Sequence, residues 1–261
     1  MRIGVLLKQV QKSEDAQMRD DFTVDRSRGG KQLNPADKSA LLAAVELKKK
    51  YGGEIICLTM GPASAENILR EAVMDGADRI CLITDLAYAG SDTLATSVIL
   101  AAALAYVGQP ELILCGRRTV DGETGQVGPQ TAIRMGYSCV TNVLSVELAE
   151  EGFLEITRLS ESKIEKLLAP LPAMICVCET NTLSQLPDIE SMRRASTIRT
   201  EVLSNKELNI PRAECGHPGS RTKVLKVHRR SIGRRNTRYA ESSEEGAELA
   251  LSLLKRPETP K

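Results

Sequence analysis

Tryptophan is absent from this sequence, and the other aromatics are two phenylalanines and five tyrosines. A core must then be built from Leu, Ile, Val, Ala and Met. The scarcity of rings also argues against a base-stacking nucleic-acid platform, which needs exposed aromatic faces. A surplus of one charge is missing too: 35 Lys and Arg stand against 34 Asp and Glu, a net charge of +1. No global field draws in DNA or an acidic membrane. Histidine is nearly missing. His217 and His228 both lie in the polar C-terminal region. No Ser–His–Asp set, Cys–His pair or carboxylate pair in a cleft can be assembled. Redox or transfer chemistry would therefore belong to a cofactor rather than to side chains.

Long apolar runs are lacking as well. Met1-Arg2 leads into an apolar run over 3–7, too short for a secretory leader or a membrane span. The seven cysteines are an odd number. Cys57, Cys81, Cys115 and Cys176 sit inside strand-like apolar runs, as buried thiols do. Cys176 and Cys178 share a strand face, but that spacing is a poor zinc pattern and no histidine is near. Reduced, structural thiols are expected, which fits a cytoplasmic protein.

What the sequence has is alternation. Apolar strand patterns over 3–7, 54–59, 79–83 and 111–115 are separated by helical periodicity over 35–50, 64–74, 92–106 and 126–135. Ile55-Ile56-Cys57-Leu58 and Leu112-Ile113-Leu114-Cys115 are apolar at every position, as strands covered on both faces are. Strict alternation predicts a doubly wound, mostly parallel, Rossmann-like α/β sheet. The pattern then changes. Strands over 140–148, 153–159 and 163–168 with short turns predict an added antiparallel meander, and 173–178 reads as one more buried strand. Residues 180–199 show no strong period and read as a loop with a short turn. From 201 the chain reads as a polar, extended C-terminal arm. It ends in a helix over 243–254, with Ser242 or Ser243 in a capping box. The domain division expected is 1–222 for the α/β domain and 223–261 for the arm. Between Arg221 and Arg238 acidic residues vanish and Lys223, Lys226, Arg229, Arg230, Arg234 and Arg235 cluster. Such a run is either a solvated face or a docking or phosphate-contacting surface.

Ligands of open parallel sheets bind beyond the carboxyl ends of the strands. The most informative segment there is Gly116-Arg117-Arg118-Thr119-Val120-Asp121-Gly122-Glu123-Thr124-Gly125-Gln126-Val127-Gly128-Pro129. It is glycine-rich and feeds a helix N-terminus, whose free N–H groups and partial positive charge suit a phosphate. It is neither G-x-G-x-x-G nor a Walker loop. A flexible, capped connection is the competing reading. Asn34-Pro35 at the first helix, followed by Ala36 and Asp37, has the same two readings: N-cap with Pro at N1, or ligand contact. So does the start Ser91-Asp92-Thr93 with Thr96 and Ser97. Those hydroxyls could hold a diphosphate or merely cap the helix.

Taken in order, five segments resemble the beta (small) subunit of electron-transferring flavoproteins along nearly the whole chain. They are Val5-Leu6-Leu7-Lys8-Gln9-Val10; Leu33-Asn34-Pro35-Ala36-Asp37; Leu58-Thr59-Met60-Gly61-Pro62; Leu69-Arg70-Glu71-Ala72 with Gly76-Ala77-Asp78-Arg79; and the 116–129 loop. The resemblance implies an adenine nucleotide against Leu6, Asn34, Pro35, Ala36, Asp37, Met60 and 116–127. In the family this nucleotide is either FAD engaged in electron bifurcation or a structural AMP. The run Asp121 to Pro129 is similar to the bifurcating members' Asp-Gly-Asp-Thr-Ala-Gln-Val-Gly-Pro, departing at Glu123 and Gly125. The Asp92, Thr93 and Thr96 helix start also leans toward FAD. Bifurcation implies NADH as donor, ferredoxin or flavodoxin as low-potential acceptor, and an acyl-CoA dehydrogenase-like partner on the other branch. The resemblance further implies a heterodimer whose alpha subunit is embraced by the arm. Leu186 would anchor the partner dehydrogenase, although Arg193-Arg194 departs from the family's Lys-rich run. Membrane insertion is not expected. Two rivals remain: an AMP-containing carrier without redox chemistry at the beta site, and a universal-stress-type nucleotide-binding regulatory module.

Overall fold

The computed structural model describes residues 1–11, 30–180, 186–222 and 239–254. The chain divides into two units, Met1–Val224 and Leu225–Lys261. The first is built on a nine-stranded sheet. In chain order its parts are strand β1 (Arg2–Leu7), the hairpin strands β2 (Gln9–Gln11) and β3 (Lys31–Leu33), helix α1 (Pro35–Tyr51), β4 (Glu54–Met60), α2 (Glu66–Asp75), β5 (Arg79–Ile83), α3 (Thr93–Tyr106), β6 (Leu112–Gly116) and α4 (Val127–Met135). Then follow β7 (Ser138–Leu148), β8 (Phe153–Ser160), β9 (Lys163–Pro170), β10 (Ala173–Val177), α5 (Ile189–Thr197), β11 (Thr200–Leu203) and the single turns α6 (Asn205–Leu208) and α7 (Gly216–Gly219). The strand order is β11-β5-β4-β1-β6-β10-β7-β8-β9, with β2 and β3 forming a separate pair.

All pairings from β11 to β7 are parallel, and β8 and β9 continue the sheet antiparallel. The doubly wound sheet and the meander are therefore one surface. β7 joins them, because its first half lies parallel to β10 and its second half antiparallel to β8. The change comes at a bulge beside Asn142, a residue with φ of 59°. An extra residue there increases local twist and turns the strand from one partner to the next.

Two apolar cores flank the sheet, as continuous hydrophobic strands require. On one face Leu41, Val45 and Leu47 of α1 and Leu69 and Val73 of α2 pack on Ile3, Val5, Ile55 and Leu112. On the other, Ile99 and Leu104 of α3 and Ala132 of α4 pack on Ile56, Leu58, Ile113 and Met174. Among the described residues no aromatic belongs to the first core, and only Tyr88 and Tyr137 to the second.

Two expectations are corrected. Residues 189–197 form a helix rather than a turn, and 200–203 form a sheet strand rather than the beginning of an arm. β11 pairs in parallel with β5, from Thr200 opposite Ile80 to Leu203 opposite Ile83. As an edge strand it buries only Leu203 fully, so no apolar run marks it. α5 has nine residues and buries only Ala195 of its short apolar line Ile189, Met192 and Ala195, too brief a pattern to declare a helix among polar neighbours. The second unit contains helix α8 (Ser243–Leu254). Ser242 Oγ accepts the Glu245 amide at 3.2 Å and so supplies its cap. The basic run over 223–238 lies outside the described residues. Among the described residues no helix is long and apolar enough to cross a membrane.

Candidate functional site

β1 and β6 are neighbours, yet the chain leaves β1 for α1 on one face and leaves β6 for α4 on the other. Their connections therefore diverge at the topological switch point, the crevice position at which such sheets take ligands. Most of the residues singled out in the sequence line this crevice.

Asp37 joins its two sides. The Lys8 amide donates to Oδ2 at 2.8 Å, and the Gly116 amide donates to Oδ1 at 2.9 Å. The carboxylate thereby ties the first turn of α1 to the ends of both strands. It is 4% exposed. Burial pushes its pKa up to about 7, against the downward pull of the Gly116 and Lys8 amides, Asn34 and the Lys8 charge. Asp37 is thus a scaffold of the crevice with both oxygens occupied. Gly116 makes this approach possible. A Cβ there would stand 2.7 Å from the Asp37 nitrogen and 2.8 Å from the Ala36 carbonyl carbon.

Asn34 precedes Pro35, the first residue of α1, but its side chain makes no capping bond. Instead it is fully buried and reaches across the crevice. Its Nδ2 donates to the Arg118 carbonyl at 3.0 Å, and its Oδ1 accepts the Val120 amide at 3.1 Å. An amide side chain can accept and donate at once, so Asn34 pins the glycine-rich loop as a backbone segment would. Lys8 Nζ lies 2.8 Å from Asp121. Burial opposes ionisation of Asp121, but Lys8 and Thr119 outweigh it and hold the carboxyl below its ordinary value. The Glu123 amide closes a turn onto the Thr119 carbonyl at 2.9 Å, with Glu123 at φ 50° and Gly125 at φ 63°. Asp121, Gly122, Glu123, Thr124 and Gln126 are exposed on the loop's outer side. Arg118 approaches Glu123 at 3.9 Å, and Arg117 donates to Asn142 at 3.3 Å. The loop ends where Val127 begins α4.

The second helix start meets the same loop. Thr93 Oγ1 donates to Gln126 Oε1 at 2.8 Å. Asp92 caps α3 by accepting the Ala95 amide at 3.0 Å. Its other oxygen accepts the Arg221 and Thr222 amides at 2.7 and 2.9 Å. Burial works against the charge, but the Ala95, Thr222 and Arg221 amides bring Asp92 down to about 2. Ser91 is engaged by the Gly216 amide and Ser97 by Arg134. Of the hydroxyls at this start, Thr93 is therefore the one tied to the loop, and Thr96 lies half-buried one turn on. Met60 ends β4 half-buried, and Leu6 lies in β1 within the second core. Lys8, which the sequence places directly after the first strand without giving it a contact, ties the loop through Asp121.

Leu186 lies far from this crevice along the chain. It is 95% exposed, with Ile189 at 86% and Met192 at 52% on the helix that follows. α5 itself is held firmly. Arg194 donates to the Ala77 and Val73 carbonyls, and Arg70 to the Ala195 carbonyl. An apolar edge is thus presented on a rigid support. A groove of about 800 Å³ between Arg2, Tyr137 and Phe153 lies at the amino ends of the strands. It has neither a helix N-terminus nor the glycine loop, so the crevice is the stronger ligand candidate.

The fold and crevice define a doubly wound α/β protein of the kind that takes a ligand at its switch point. Comparison narrows the class: residues 21–204 match the electron transfer flavoprotein domain. The chain is 36% identical over 236 residues to protein FixA of Azorhizobium caulinodans, covering 87% of this chain and 84% of that protein. It is 32% identical over 258 residues to the electron transfer flavoprotein subunit beta of Clostridium acetobutylicum, covering 98% of both. It is 34% identical over 230 residues to the caffeyl-CoA reductase-Etf complex subunit CarD of Acetobacterium woodii, covering 87% of both. The chain belongs to the electron transfer flavoprotein family, among its beta subunits and FixA proteins.

Proposed function

We propose that this chain binds FAD in the crevice between β1 and β6 and, joined to an alpha subunit, takes part in electron bifurcation in the cytoplasm. The observation behind this reading is the Thr93–Gln126 bond of 2.8 Å, which sets the start of α3 beside the loop that feeds α4. AMP needs one helix start and one loop. A dinucleotide extends further and calls for a second polar helix start, because helix N-termini favour phosphate. The residues present suit such a ligand. Gly116 lets the first turn of α1 seat against the end of β6, and the loop is preorganised by Asn34 and Lys8 rather than by the ligand itself.

When bound, the flavin supplies two-electron uptake from NADH and one-electron release toward two acceptors. The chain's own groups position it. Asn34 holds 118–120 in place, Asp37 keeps the two strand ends at a fixed separation, and Lys8 offsets negative charge at the mouth. One acceptor branch runs to ferredoxin or flavodoxin. The other runs through the alpha-subunit FAD to an acyl-CoA dehydrogenase-like enzyme, a partner class supported by the caffeyl-CoA reductase complex to which CarD belongs. Leu186, with the α5 edge behind it, would dock that enzyme, and the 223–261 arm would embrace the alpha subunit. Counting nucleotides in the purified heterodimer tests the proposal. Two FAD per dimer supports it; one FAD with one AMP sinks it and leaves a carrier of the simpler kind.

A further inference from the structure

The crevice uses none of the cysteines, yet three of them gather beneath its loop. Cys115 precedes Gly116, the last residue of β6, and Cys176 is its register partner on β10. Their sulfurs are 3.6 Å apart. The exposed Cys139 on β7 reaches Cys176 from the other side. The first turn of α4 roofs the pair. A Cβ on Gly128 would stand 2.6 Å from the Cys176 sulfur and 2.9 Å from the Cys115 sulfur. Adjacent strands lie about 4.7–4.9 Å apart, within the roughly 4.4–6.8 Å Cα separation that a disulfide accepts.

We propose that Cys115 and Cys176 form a redox-responsive dithiol, which a hydroperoxide converts to a disulfide that unseats the first turn of α4 and releases the nucleotide held by the loop. Cys115 is 6% exposed and Cys176 1%, so Cys115 attacks first. An S–O bond forms, the O–O bond breaks, and the departing oxygen leaves as water with hydrogen peroxide as oxidant. The Cys176 sulfur then attacks the sulfenic acid on Cys115. The S–S bond forms, the S–O bond breaks, and a second water carries off the remaining oxygen and protons. Two thiols are oxidised and one peroxide is reduced. The sulfurs must close to about 2.05 Å, and they do so directly under a helix turn already in contact with both. Cys115 also adjoins Gly116, the residue clamped by Asp37. The displacement is therefore passed to the loop from both of its ends. The release step rests on the nucleotide reading above; the disulfide does not.

The test uses the full chain co-purified with its alpha subunit, treated with hydrogen peroxide and quenched with N-ethylmaleimide. Peptide mapping should find Cys115 linked to Cys176, in the wild type and in Cys139→Ser. Nucleotide retained through gel filtration should fall in step, and dithiothreitol should reverse both changes. Cys115→Ser should form no link and keep its nucleotide. Mapping of the wild type needs no variant, so a failure of Cys115→Ser to fold leaves the link decidable. Oxidation confined to Cys139, with Cys115 and Cys176 still alkylated after denaturation, overturns the dithiol. A Cys115–Cys176 link with undiminished nucleotide overturns the release. Untreated protein that holds no nucleotide in this crevice refutes the nucleotide reading and the release with it, while the mapped link still decides the dithiol.

Discussion

Asn34, just before α1, and Asp37, in its first turn, differ in what they stabilise. Asn34 satisfies one carbonyl and one amide of the loop. Its replacement by Ala leaves both groups without their partner, at a cost of about 1–3 kcal/mol for a buried polar group. Asn34→Ala should lower the urea midpoint modestly and strip bound nucleotide more severely, measured by unfolding and by nucleotide content. Asp37 satisfies two amide donors, so the amide of Asp37→Asn would turn an N–H toward one of them. The variant should lose about 1–3 kcal/mol for the same reason. Its pH dependence is more diagnostic. The folded pKa of Asp37 is raised from 3.8 to about 7. The folded state therefore binds more protons than the unfolded chain across that window, and stability falls as pH rises through it, levelling off above the folded value. Urea unfolding at about pH 5 and about pH 8 should show the wild type losing more stability than Asp37→Asn between the two. An equal loss in both proteins would sink this account.

At the scale of elements, close approach decides what can be changed. α1 rests on β6 through Gly116, where the atoms nearest a new Cβ are backbone and the Asp37 carboxylate. Gly116→Ala should force the helix start outward and cost about 1–3 kcal/mol, the range for overpacking, with nucleotide lost as well. Asp92 links α3 to 221–222 and caps the helix at the same time. Asp92→Ala should cost about 0.5–2 kcal/mol from the cap alone. Its contribution is present above 3.8 and lost as pH falls through about 2, so the gap from wild type should narrow in strong acid. Thermal melts across that range would check this. The helices and strands of the parallel region were legible in the sequence because each combines a strong apolar period with a polar turn. The helix over 189–197 and the strand over 200–203 were not. Both lie at an edge of the fold, where few side chains are buried and the hydrophobic pattern is correspondingly short.

For the whole molecule, the exposed edge of Leu186, Ile189 and Met192 should matter only to a partner. Leu186→Ala removes a side chain that is 95% exposed and should leave the melting temperature unchanged, since surface substitutions usually fall within about 0.5 kcal/mol. On the proposed docking, electron transfer to an acyl-CoA dehydrogenase-like enzyme should slow, seen as a higher KM for that enzyme in a coupled assay. Unchanged kinetics would place docking elsewhere. The alternation of the main strands and helices up to residue 178, the carboxyl-edge loop and the kinship of five short segments were all determined by the sequence, because periodicity and turn chemistry act over a few residues. Tertiary structure alone decided that β7 makes sheet and meander continuous, that Asn34 pins a loop 84 residues away rather than capping its own helix, and that two cysteines 61 residues apart lie side by side. Those facts depend on which strands become neighbours, and neighbours are chosen by burial of the whole chain rather than by any local pattern.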